Sequence, residues 1–338
     1  MANEAPPLQG IRVLDLGRYQ AGPRCALMFS RLGADVIKIE RPGGEESRQH
    51  EPYVRGQSAY WVQYNSGKKS LALDLRTDDG KQILRDLAKV SDVFLQNFRP
   101  GTIDKMGFGY EELKKINPGI VMINVSAYGQ YGPYRDRIGF DPIGQALGGL
   151  MSLTGFPGDP PIRTFFPLID RITALHATIG ALSALWERQQ SGEGQSIDVS
   201  LADTGFTVNE IPIAGYLGDG TVQEREGNGA GPFNAYETTD GWVYLASSSN
   251  NTWPRLCKAL DRPEWITDVR FASRSARQRN AAQLDADLAS WFATRETTYV
   301  VDHLSRLGIP IAPINTVEQA AVDPHLKERE ILVEVPDA

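Results

Sequence analysis

Hydrophobic positions in the first 130 residues alternate between short β-branched runs and stretches with helical spacing. Each run is rich in valine, isoleucine and leucine, and each is bounded by glycine, proline, asparagine or serine. Short apolar runs separated by helices are typical of a parallel sheet, in which strands are connected by crossover helices. The predicted strands cover residues 11–16, 35–40, 70–75, 92–95 and 120–125. The first part of the chain is therefore predicted to be an α/β fold.

Helical spacing predicts several helices in the same part of the chain. The first follows a tight loop and has Pro23 as its first residue, a position that proline favours. The segment 172–190 is rich in small and apolar residues and ends at Gly192. A further strand is predicted at 196–199. The predicted helices cover residues 23–32, 78–90, 141–153, 172–190 and 201–216.

Composition shifts near residue 217, where glycine-rich loops begin. Two runs with strand character, 233–238 and 242–247, flank a Thr-Asp-Gly turn and predict a β-hairpin. Helices at 252–260, 281–292 and 298–307 and a strand at 309–313 follow. This order of elements indicates a smaller α+β domain.

These patterns divide the chain into four predicted regions. A large domain is expected over residues 1–200, and a linker helix over 201–224. The small α+β domain covers 225–315, and a linker over 316–338 returns toward the large domain. Residues 331–335 have the character of a strand, and the given sequence ends at Ala338.

The charge balance limits the partners that the chain can have. It contains 35 Lys and Arg residues against 42 Asp and Glu residues, for a formal net charge of −7. This balance argues against nucleic acid and membrane surfaces as partners, because both require a basic face. The sequence also lacks a signal peptide and an apolar run of roughly 18 residues. Two cysteines and four histidines are scattered without metal-ligand spacing. We expect a cytoplasmic enzyme without a metal.

The loop at residues 17–23 is the first candidate site. It joins the end of a strand to the start of a helix, where free backbone N–H groups bind anions in α/β proteins. The dinucleotide fingerprint G-x-G-x-x-G is absent from this loop. A tight turn explains its glycines equally well, so the residues alone leave a structural and a binding role open.

Basic and aromatic residues follow three of the other predicted strands. Arg41 comes after the second strand, where a doubly wound fold contacts the ribose or phosphate of a nucleotide. Asn97 and Phe98 end the fourth strand, and their side chains suit a ligand with phosphates and a ring. Arg76 and Lys105 add positive charge nearby, despite the acidic total. Solvated surface residues and a polar loop are the alternatives.

Asp170 precedes the predicted helix at 172–190, and two roles are open to it. An aspartate in this position ordinarily acts as an N-cap, which its position alone favours. The helix dipole would also keep the carboxylate ionised, as a nucleophile requires. The run Gly227-Asn228-Gly229-Ala230-Gly231 is either a hinge or a loop that folds over a substrate.

Taken together, these segments resemble one family. The motifs LDLGRYQAGP, GADVIKIERPGG, SGKKSLALDLRT, NFRPG, DKMGFGYEELKKINP, SAYGQYGP and GEGQSIDVSLAD occur in order over nearly the whole chain. They are similar to those of the family III coenzyme A-transferases, which include formyl-CoA transferase, carnitine CoA-transferase and α-methylacyl-CoA racemase. The resemblance implies a Rossmann-like CoA-binding large domain, a small domain and an interlocked, ring-shaped homodimer. It also implies that a C-terminal segment usual in the family is absent.

The resemblance also implies roles for individual residues. Asp170 corresponds to the family's nucleophile, and Gly227, Gly229 and Gly231 correspond to its mobile substrate loop. Acyl-CoA is implied as a substrate and not as a permanently bound cofactor, and a carboxylic acid is implied as acceptor. The positions that correspond to CoA contacts are Tyr19, Gln20, Ala21, Arg41, Leu73, Arg76, Asn97, Phe98 and Lys105.

Two alternatives to a transferase are considered. The racemases of this family carry a catalytic histidine where this chain has Phe140, and phenylalanine cannot move a proton. Racemase is therefore the runner-up. An inactive CoA-binding paralogue is a third possibility, although Asp170 is present. The resemblance implies transfer of CoA through an aspartyl anhydride and an aspartyl-CoA thioester on Asp170.

Overall fold

A computed structural model describes residues 5–333 of the chain. The chain forms two compact units. The first contains residues up to 155 together with 159–225, and the second contains 156–158 and the residues from 226 onward. Each unit has a hydrophobic core of its own.

The first unit is built on a six-stranded parallel sheet, as the sequence predicted. Its order is β5-β2-β1-β6-β7-β8, and a two-stranded hairpin of β3 and β4 stands apart from it. Counted along the chain, the six strands lie in the order 3-2-1-4-5-6, which is the order of a Rossmann fold. The strands are β1 (Arg12–Asp15), β2 (Asp35–Glu40), β3 (Tyr53–Val54), β4 (Gln57–Ser58), β5 (Lys69–Ala72), β6 (Val93–Gln96), β7 (Val121–Ser126) and β8 (Ser196–Ser200).

Ten α-helices accompany these strands in the described part of the first unit. A short 3-10 helix, Glu46–Gln49, follows β2. The α-helices are α1 (Ala21–Arg31), α2 (Ala59–Asn65), α3 (Asp78–Lys89), α4 (Thr102–Lys105), α5 (Tyr110–Ile116), α6 (Asp141–Leu147), α7 (Leu150–Leu153), α8 (Leu168–Ser191), α9 (Leu201–Thr207) and α10 (Glu210–Asp219).

Helices cover both faces of the sheet, which explains why the central strands β6 and β7 are buried along their whole length. Successive residues of β6 point to opposite faces. Val93 and Leu95 pack with α1 and α8 in one core, and Phe94 packs with α3 and α5 in the other. All three side chains are fully buried. The helices on the two faces give the first unit three layers, and the parallel direction of the strands places their carboxyl ends at one edge of the sheet.

The second unit has a three-stranded antiparallel sheet in the order β11-β10-β9. The predicted hairpin is confirmed, with Tyr236 paired to Val243 across it. A 3-10 helix, Pro263–Ile266, lies among the α-helices. The remaining elements are β9 (Phe233–Glu237), β10 (Trp242–Ala246), α11 (Trp253–Ala259), α12 (Arg274–Arg279), α13 (Ala281–Phe292), α14 (Thr297–Arg306), β11 (Ile311–Pro313), α15 (Val317–Val322) and α16 (Pro324–Glu328).

Two predicted helices are each divided in the structure. The helix predicted at 141–153 breaks between α6 and α7, where Gly149 adopts a positive φ of 88°. The linker helix predicted within 201–224 is two helices, α9 and α10, and residues 201–225 group with the first unit. A Cβ at Gly148 would overlap the backbone of Gly205, so α9 packs backbone to backbone against this segment. Close packing, which hydrophobic spacing does not encode, makes α9 part of the first unit.

Three further predictions need correction at helix or strand ends. α8 begins at Leu168, earlier than the predicted residue 172. With 24 residues it is long and apolar enough to cross a membrane by those criteria alone, but Ala174, Ala177 and Ala181 on its inner face are buried in the core. The predicted linker at 316–338 contains α15 and α16. Residues 331–333 are not a strand, and 334–335 lie outside the described residues.

Candidate active site

The candidate site lies where the strand order of the large sheet reverses. β1 and β6 are neighbours, but the chain leads from β1 toward β2 on one side and from β6 toward β7 on the other. Loops that leave such neighbouring strands diverge and open a crevice at their carboxyl ends, which is the usual ligand site of open α/β sheets. The loop at residues 17–20 and the loop at 97–101 leave β1 and β6 at this point.

Asn97 joins these two loops. Its Oδ1 accepts a hydrogen bond from the backbone N–H of Arg18 at 2.7 Å, and its Nδ2 donates to the carbonyl oxygen of Arg18 at 2.8 Å. The two bonds use the whole amide group and fix the separation of the loops. Asn97 was predicted only as a CoA contact, and the structure gives it this second, structural role.

Six of the predicted site residues come together around one cavity of about 400 Å³. We call it the Asp170 cavity. Among its lining residues Asp170 is the only acid, whereas Arg18, Arg99 and Arg137 supply positive charge. The predicted residues that line it are Tyr19, Gln20, Ala21, Asn97, Phe98 and Asp170.

Asp170 lies in the first turn of α8 but does not cap it. It is the third residue of the helix, and Pro167 occupies the N-cap position, so the N-cap role expected for Asp170 is wrong. Burial, followed by the negative charge of Asp141, raises the pKa of Asp170 to about 7. Near neutral pH this carboxyl therefore exists in both protonation states.

Asp141 is the residue that sequence reasoning missed. Its buried Oδ2 accepts a hydrogen bond from the backbone N–H of Asp170 at 2.9 Å. Its Oδ1 accepts from the side chain of Gln145, one helical turn further along α6. Gln145 Oε1 in turn accepts from the backbone N–H of Thr164 at 3.0 Å. The sequence signal that could have identified Asp141 was an aspartate at the start of a helix, followed four residues later by glutamine.

Two tyrosines of α2 also contribute to the site. Tyr64 donates a hydrogen bond from its hydroxyl to Gln20 Oε1 at 2.9 Å, which orients the amide of Gln20. Burial raises the pKa of Tyr60 above its usual range, and the charge of Asp170 acts in the same direction. Ser58 is the N-cap of α2, and its hydroxyl accepts a hydrogen bond from the backbone N–H of Trp61. The hydrophobic pattern did not predict this helix.

A second cavity of about 580 Å³ lies next to the first, and Arg18 and Phe98 line both. We call it the Arg41 cavity. Predicted residues Arg41, Leu73 and Arg76 line it as well. Arg41 lies 3.4 Å from Glu46, and Arg76 makes a two-pronged ion pair with Asp74, whose shortest distance is 2.8 Å. The lining also includes Glu40 and Glu45, so the cavity combines apolar side chains with both acidic and basic groups. The exposed guanidinium groups of Arg41 and Arg76 are the parts of it that can bind an anion.

Lys105 and the glycine run are not brought to these cavities. Lys105 is exposed at the end of α4 and lines neither cavity, although the next residue, Met106, lines the Arg41 cavity. Gly227 and Gly229 have positive φ values of 60° and 101° in the second unit, and Gly231 follows in the same loop. The role of these glycines as a substrate loop stays a prediction.

Comparison with known proteins decides the family. The model of CoA-transferase family III matches residues 8–338. The chain belongs to this family. It is 38% identical to a succinyl-CoA–D-citramalate CoA-transferase of Chloroflexus aurantiacus, over 100% of this chain and 86% of that protein. It is 32% identical to a formyl-CoA:oxalate CoA-transferase of Escherichia coli, over 97% of this chain and 86% of the relative.

Solved structures agree with this assignment. A CaiB/BaiF family protein from Brucella suis has a TM-score of 0.88 and 35% identity, over 96% of this chain and 88% of that one. The protein Rv3272 of Mycobacterium tuberculosis has a TM-score of 0.89 and 31% identity, over 99% of this chain and 93% of that one. The protein is a CoA-transferase, and enzymes of this class use CoA thioesters as substrates.

The family III assignment gives Phe140 a particular meaning. Phe140 lines the Asp170 cavity, and its ring meets that of Tyr19 edge to face at 6.2 Å. On the resemblance described above, the racemases of the family carry a histidine at this position. A phenylalanine ring cannot transfer a proton, so Phe140 itself supplies no acid or base to the cavity.

Proposed function

We propose that the protein moves CoA from an acyl-CoA donor to a carboxylic acid acceptor, with Asp170 as the covalent nucleophile. The observation that carries the proposal is the single carboxyl group of the Asp170 cavity, which stands among the residues predicted to contact CoA. Asp141 Oδ2 accepts a hydrogen bond from the backbone N–H of Asp170 at 2.9 Å. This bond involves only the main chain of Asp170, so it does not engage the Asp170 carboxyl.

The first step is acyl transfer to Asp170. An ionised Asp170 oxygen attacks the carbonyl carbon of the donor thioester. The tetrahedral intermediate collapses with cleavage of the C–S bond, and the electron pair leaves with sulfur as CoA thiolate. The product is a mixed anhydride between Asp170 and the acyl group. A carboxyl with a pKa of about 7 supplies enough anion for this attack at neutral pH.

The second step moves CoA onto the enzyme. The thiolate attacks the Asp170 carbonyl carbon of the anhydride, and the donor's acid leaves as its carboxylate.

The acceptor carboxylate then attacks the resulting aspartyl thioester and releases thiolate again. A final attack of the thiolate on the acyl carbonyl gives the new acyl-CoA and restores the Asp170 carboxylate. Atoms and charges balance without an oxidant or a metal.

Each tetrahedral intermediate carries an oxyanion that needs hydrogen-bond donors. We assign this role to the backbone N–H groups of Gln20 and Ala21, at the start of α1. The first N–H groups of a helix have no partner within the helix and point toward its N-terminal end. Both residues line the Asp170 cavity. The Gly227, Gly229 and Gly231 segment is proposed as the mobile loop that covers the substrate.

We assign the nucleotide end of CoA to the Arg41 cavity. Arg41 and Arg76 would bind phosphates, and Leu73 and Phe98 would contact the adenine ring and the arm that follows it. Their present partners, Glu46 and Asp74, are exchanged for the ligand at little cost because exposed ion pairs contribute little to stability. Lys105 is kept as a candidate phosphate contact on the resemblance alone.

Relatives suggest where to begin the search for substrates. Their printed names include succinyl-CoA with D-citramalate, L-malate and mesaconate, and formyl-CoA with oxalate. Most of these acids carry two carboxylates. We propose a dicarboxylic acid as one of the two exchanging partners, and the positive charge of Arg99 and Arg137 in the Asp170 cavity supports this choice.

We also propose that two copies of the chain assemble into the interlocked homodimer that the sequence implies, in the cytoplasm. Large apolar side chains are exposed on three segments of the first unit, which a partner chain would cover. They include Phe165, Ile179, Trp186, Ile211 and Leu217. Light scattering of the native protein tests this assembly.

Trapping of the covalent intermediate tests the catalytic proposal. Acyl-CoA is added to the full chain, followed by hydroxylamine or borohydride, and peptide mass spectrometry locates the modification. We expect it on Asp170, and Asp170→Ala should abolish CoA exchange. An unmodified Asp170 together with full activity of the variant would overturn the proposal. Absence of α-proton exchange with a chiral 2-methylacyl-CoA separates the transferase from the racemase, and turnover of any kind excludes an inactive paralogue.

A further inference from the structure

Four charged side chains are buried behind the loop at residues 17–20. Lys38 lies 2.8 Å from Glu45 and 3.8 Å from Asp15, and Lys68 lies 2.7 Å from Asp15. Each of the four side chains is no more than 4% exposed. Two positive and two negative charges therefore form a closed group, which we call the buried ionic cluster. The mechanism above uses none of these residues.

The buried ionic cluster is bonded to the backbone of the loop and of the first turn of α1. Asp15 Oδ1 accepts from the N–H of Gly17 at 2.8 Å, and Lys38 donates to the carbonyl oxygen of the same residue. Glu45 Oε1 accepts from the N–H of Tyr19 at 2.7 Å. Lys68 donates to the carbonyl oxygen of Pro23 at 2.8 Å. Every member of the cluster is thus hydrogen-bonded to the backbone of residues 17–23, the segment that leads into α1.

The segment needs such support because its conformation is unfavourable. Tyr19 has a positive φ of 62°, a region in which a side chain with a Cβ is crowded. A residue remains in this region only where its surroundings determine it. The hydrogen bond that the Tyr19 N–H donates to Glu45 supplies this constraint. The next two residues, Gln20 and Ala21, are the proposed oxyanion donors.

Stability of the fold does not explain the cluster. Replacing buried ion pairs by well-packed apolar residues is often neutral or stabilising, so a gain in stability is not a reason to expect such a cluster. What the charges provide is directional bonding to four backbone groups. Lys68 is the most fully used, because its three N–H groups reach Asp15, Pro23 and Asn65 at 2.7–2.9 Å.

We infer that the buried ionic cluster is a positioning device for catalysis, and that Lys68 is its central positioning residue. The inference rests on the proposed function, because it assigns the loop to the transition state of that reaction. Donors that are held in place before the reaction stabilise the oxyanion without reorganisation. A loosened loop therefore lowers kcat. KM for acyl-CoA changes less than kcat, because Arg41 and Arg76, the proposed phosphate contacts, are paired with Glu46 and Asp74 and not with the cluster.

The pH dependence of the reaction offers a signature of this role. Burial lowers the pKa of Lys68 to about 8, against the opposing effects of Asp15 and Glu45, while Lys38 adds to the lowering. Above this pH Lys68 loses its charge and the loop loses its support, so kcat falls. The fold is not destabilised by the same event, since a lowered pKa means that the folded chain gives up this proton more readily than the unfolded chain.

Lys69 is a matched control for Lys68. It is the next residue in the chain, but its side chain is 72% exposed, against 1% for Lys68, and it contacts only Asp35 at 2.6 Å. We expect Lys68→Met in the full chain to reduce kcat by about 10- to 100-fold, with a smaller change in KM for acyl-CoA. Lys69→Met should match the wild type in both constants.

Three further measurements test the positioning role of the cluster. Lys68→Arg, which retains the charge, should keep more activity than Lys68→Met and lose the alkaline decrease near pH 8. If the Lys68 variants fold poorly, Glu45→Gln tests the same cluster through a different residue. Hydrogen–deuterium exchange of the amides at residues 17–20 should be faster in Lys68→Met and Glu45→Gln, whether or not the enzyme is assayed with its true substrate.

The outcomes separate this inference from the proposed function. Wild-type kcat and unchanged amide exchange in Lys68→Met would overturn the positioning role, as would a loss of activity that only follows a loss of folded protein by circular dichroism. An unreactive Asp170 in the trapping experiment, together with faster amide exchange in the variants, would overturn the proposed reaction while leaving the mechanical role of the cluster in place.

Discussion

The backbone N–H of Asp170 is bonded to the carboxylate of Asp141 at 2.9 Å. Two acidic side chains are thereby placed next to each other at the start of α8, one buried and one facing the Asp170 cavity. The negative charge of Asp141 makes ionisation of Asp170 less favourable. A single contact therefore fixes the position of the proposed nucleophile and also tunes its proton affinity.

Neutralising Asp141 should move the acid limb of the pH–rate profile. The Asp170 anion is the reactive form, so kcat/KM of the wild type should fall as the pH drops through about 7. Asp141→Asn removes the neighbouring charge and lowers the pKa of Asp170. The limb should then shift to lower pH, which steady-state assays between pH 5 and 9 will measure. Asp136→Asn, at an exposed site, is the control, and an identical limb in both variants would contradict the prediction.

Stability should change with pH in the direction set by Asp170. Its pKa is raised in the folded chain, so the carboxyl favours folding while it is protonated and loses that contribution as the pH rises from about 4 to about 7. Asp170→Asn cannot ionise. The variant should be more stable than the wild type by about 1–3 kcal/mol at pH 8 and nearly equal to it at pH 4.5. Urea unfolding at the two pH values measures this difference, and an equal difference at both would speak against it.

Gly148 should tolerate no side chain. A Cβ at this buried position would overlap the backbone of Gly205, so Gly148→Ala must separate α9 from its neighbours. We expect a loss of about 2–3 kcal/mol in the free energy of unfolding. Gly218, which lies in the helix α10, has open space around it. Gly218→Ala should instead stabilise by about 0.5–1 kcal/mol, and a similar sign in both variants would refute the packing argument.

Arg41 should affect binding and leave the chemistry unchanged. If it holds a phosphate of CoA, Arg41→Met raises KM for acyl-CoA by about tenfold and leaves kcat near the wild-type value. Arg31 is a suitable control because it is exposed at the end of α1 and lines neither cavity. Steady-state kinetics with acyl-CoA at saturating acceptor will measure the effect. A reduced kcat with unchanged KM would place Arg41 in a different role.

Much of the fold could be predicted from local patterns. The strand β2 and the helix α13 have the predicted bounds, because strand and helix periodicity are properties of neighbouring residues. The break at Gly148 and Gly149 could not be predicted in this way. It depends on how closely α9 approaches, and that contact joins residues more than fifty positions apart.

The same distinction between local patterns and distant contacts applies to the candidate site. Asp170 could be selected by its resemblance to a family motif, but its proton affinity could not, because this depends on burial and on Asp141, 29 residues away. In the sequence, Lys68 is one of two adjacent lysines in the motif SGKKSLALDLRT. In the structure it is buried against Asp15, and only the fold reveals which of two adjacent lysines faces the interior.

Arg18 and Phe98 line both the Asp170 cavity and the Arg41 cavity. On the proposed path, a CoA molecule that spans the two remains anchored by its nucleotide when the thioester bond breaks. Its sulfur then meets the anhydride as part of the same complex, at an effective concentration that no free thiol in solution can match. Small thiols added to the assay should therefore fail to intercept the anhydride, and hydrolysis of the activated acyl group should be rare among turnovers.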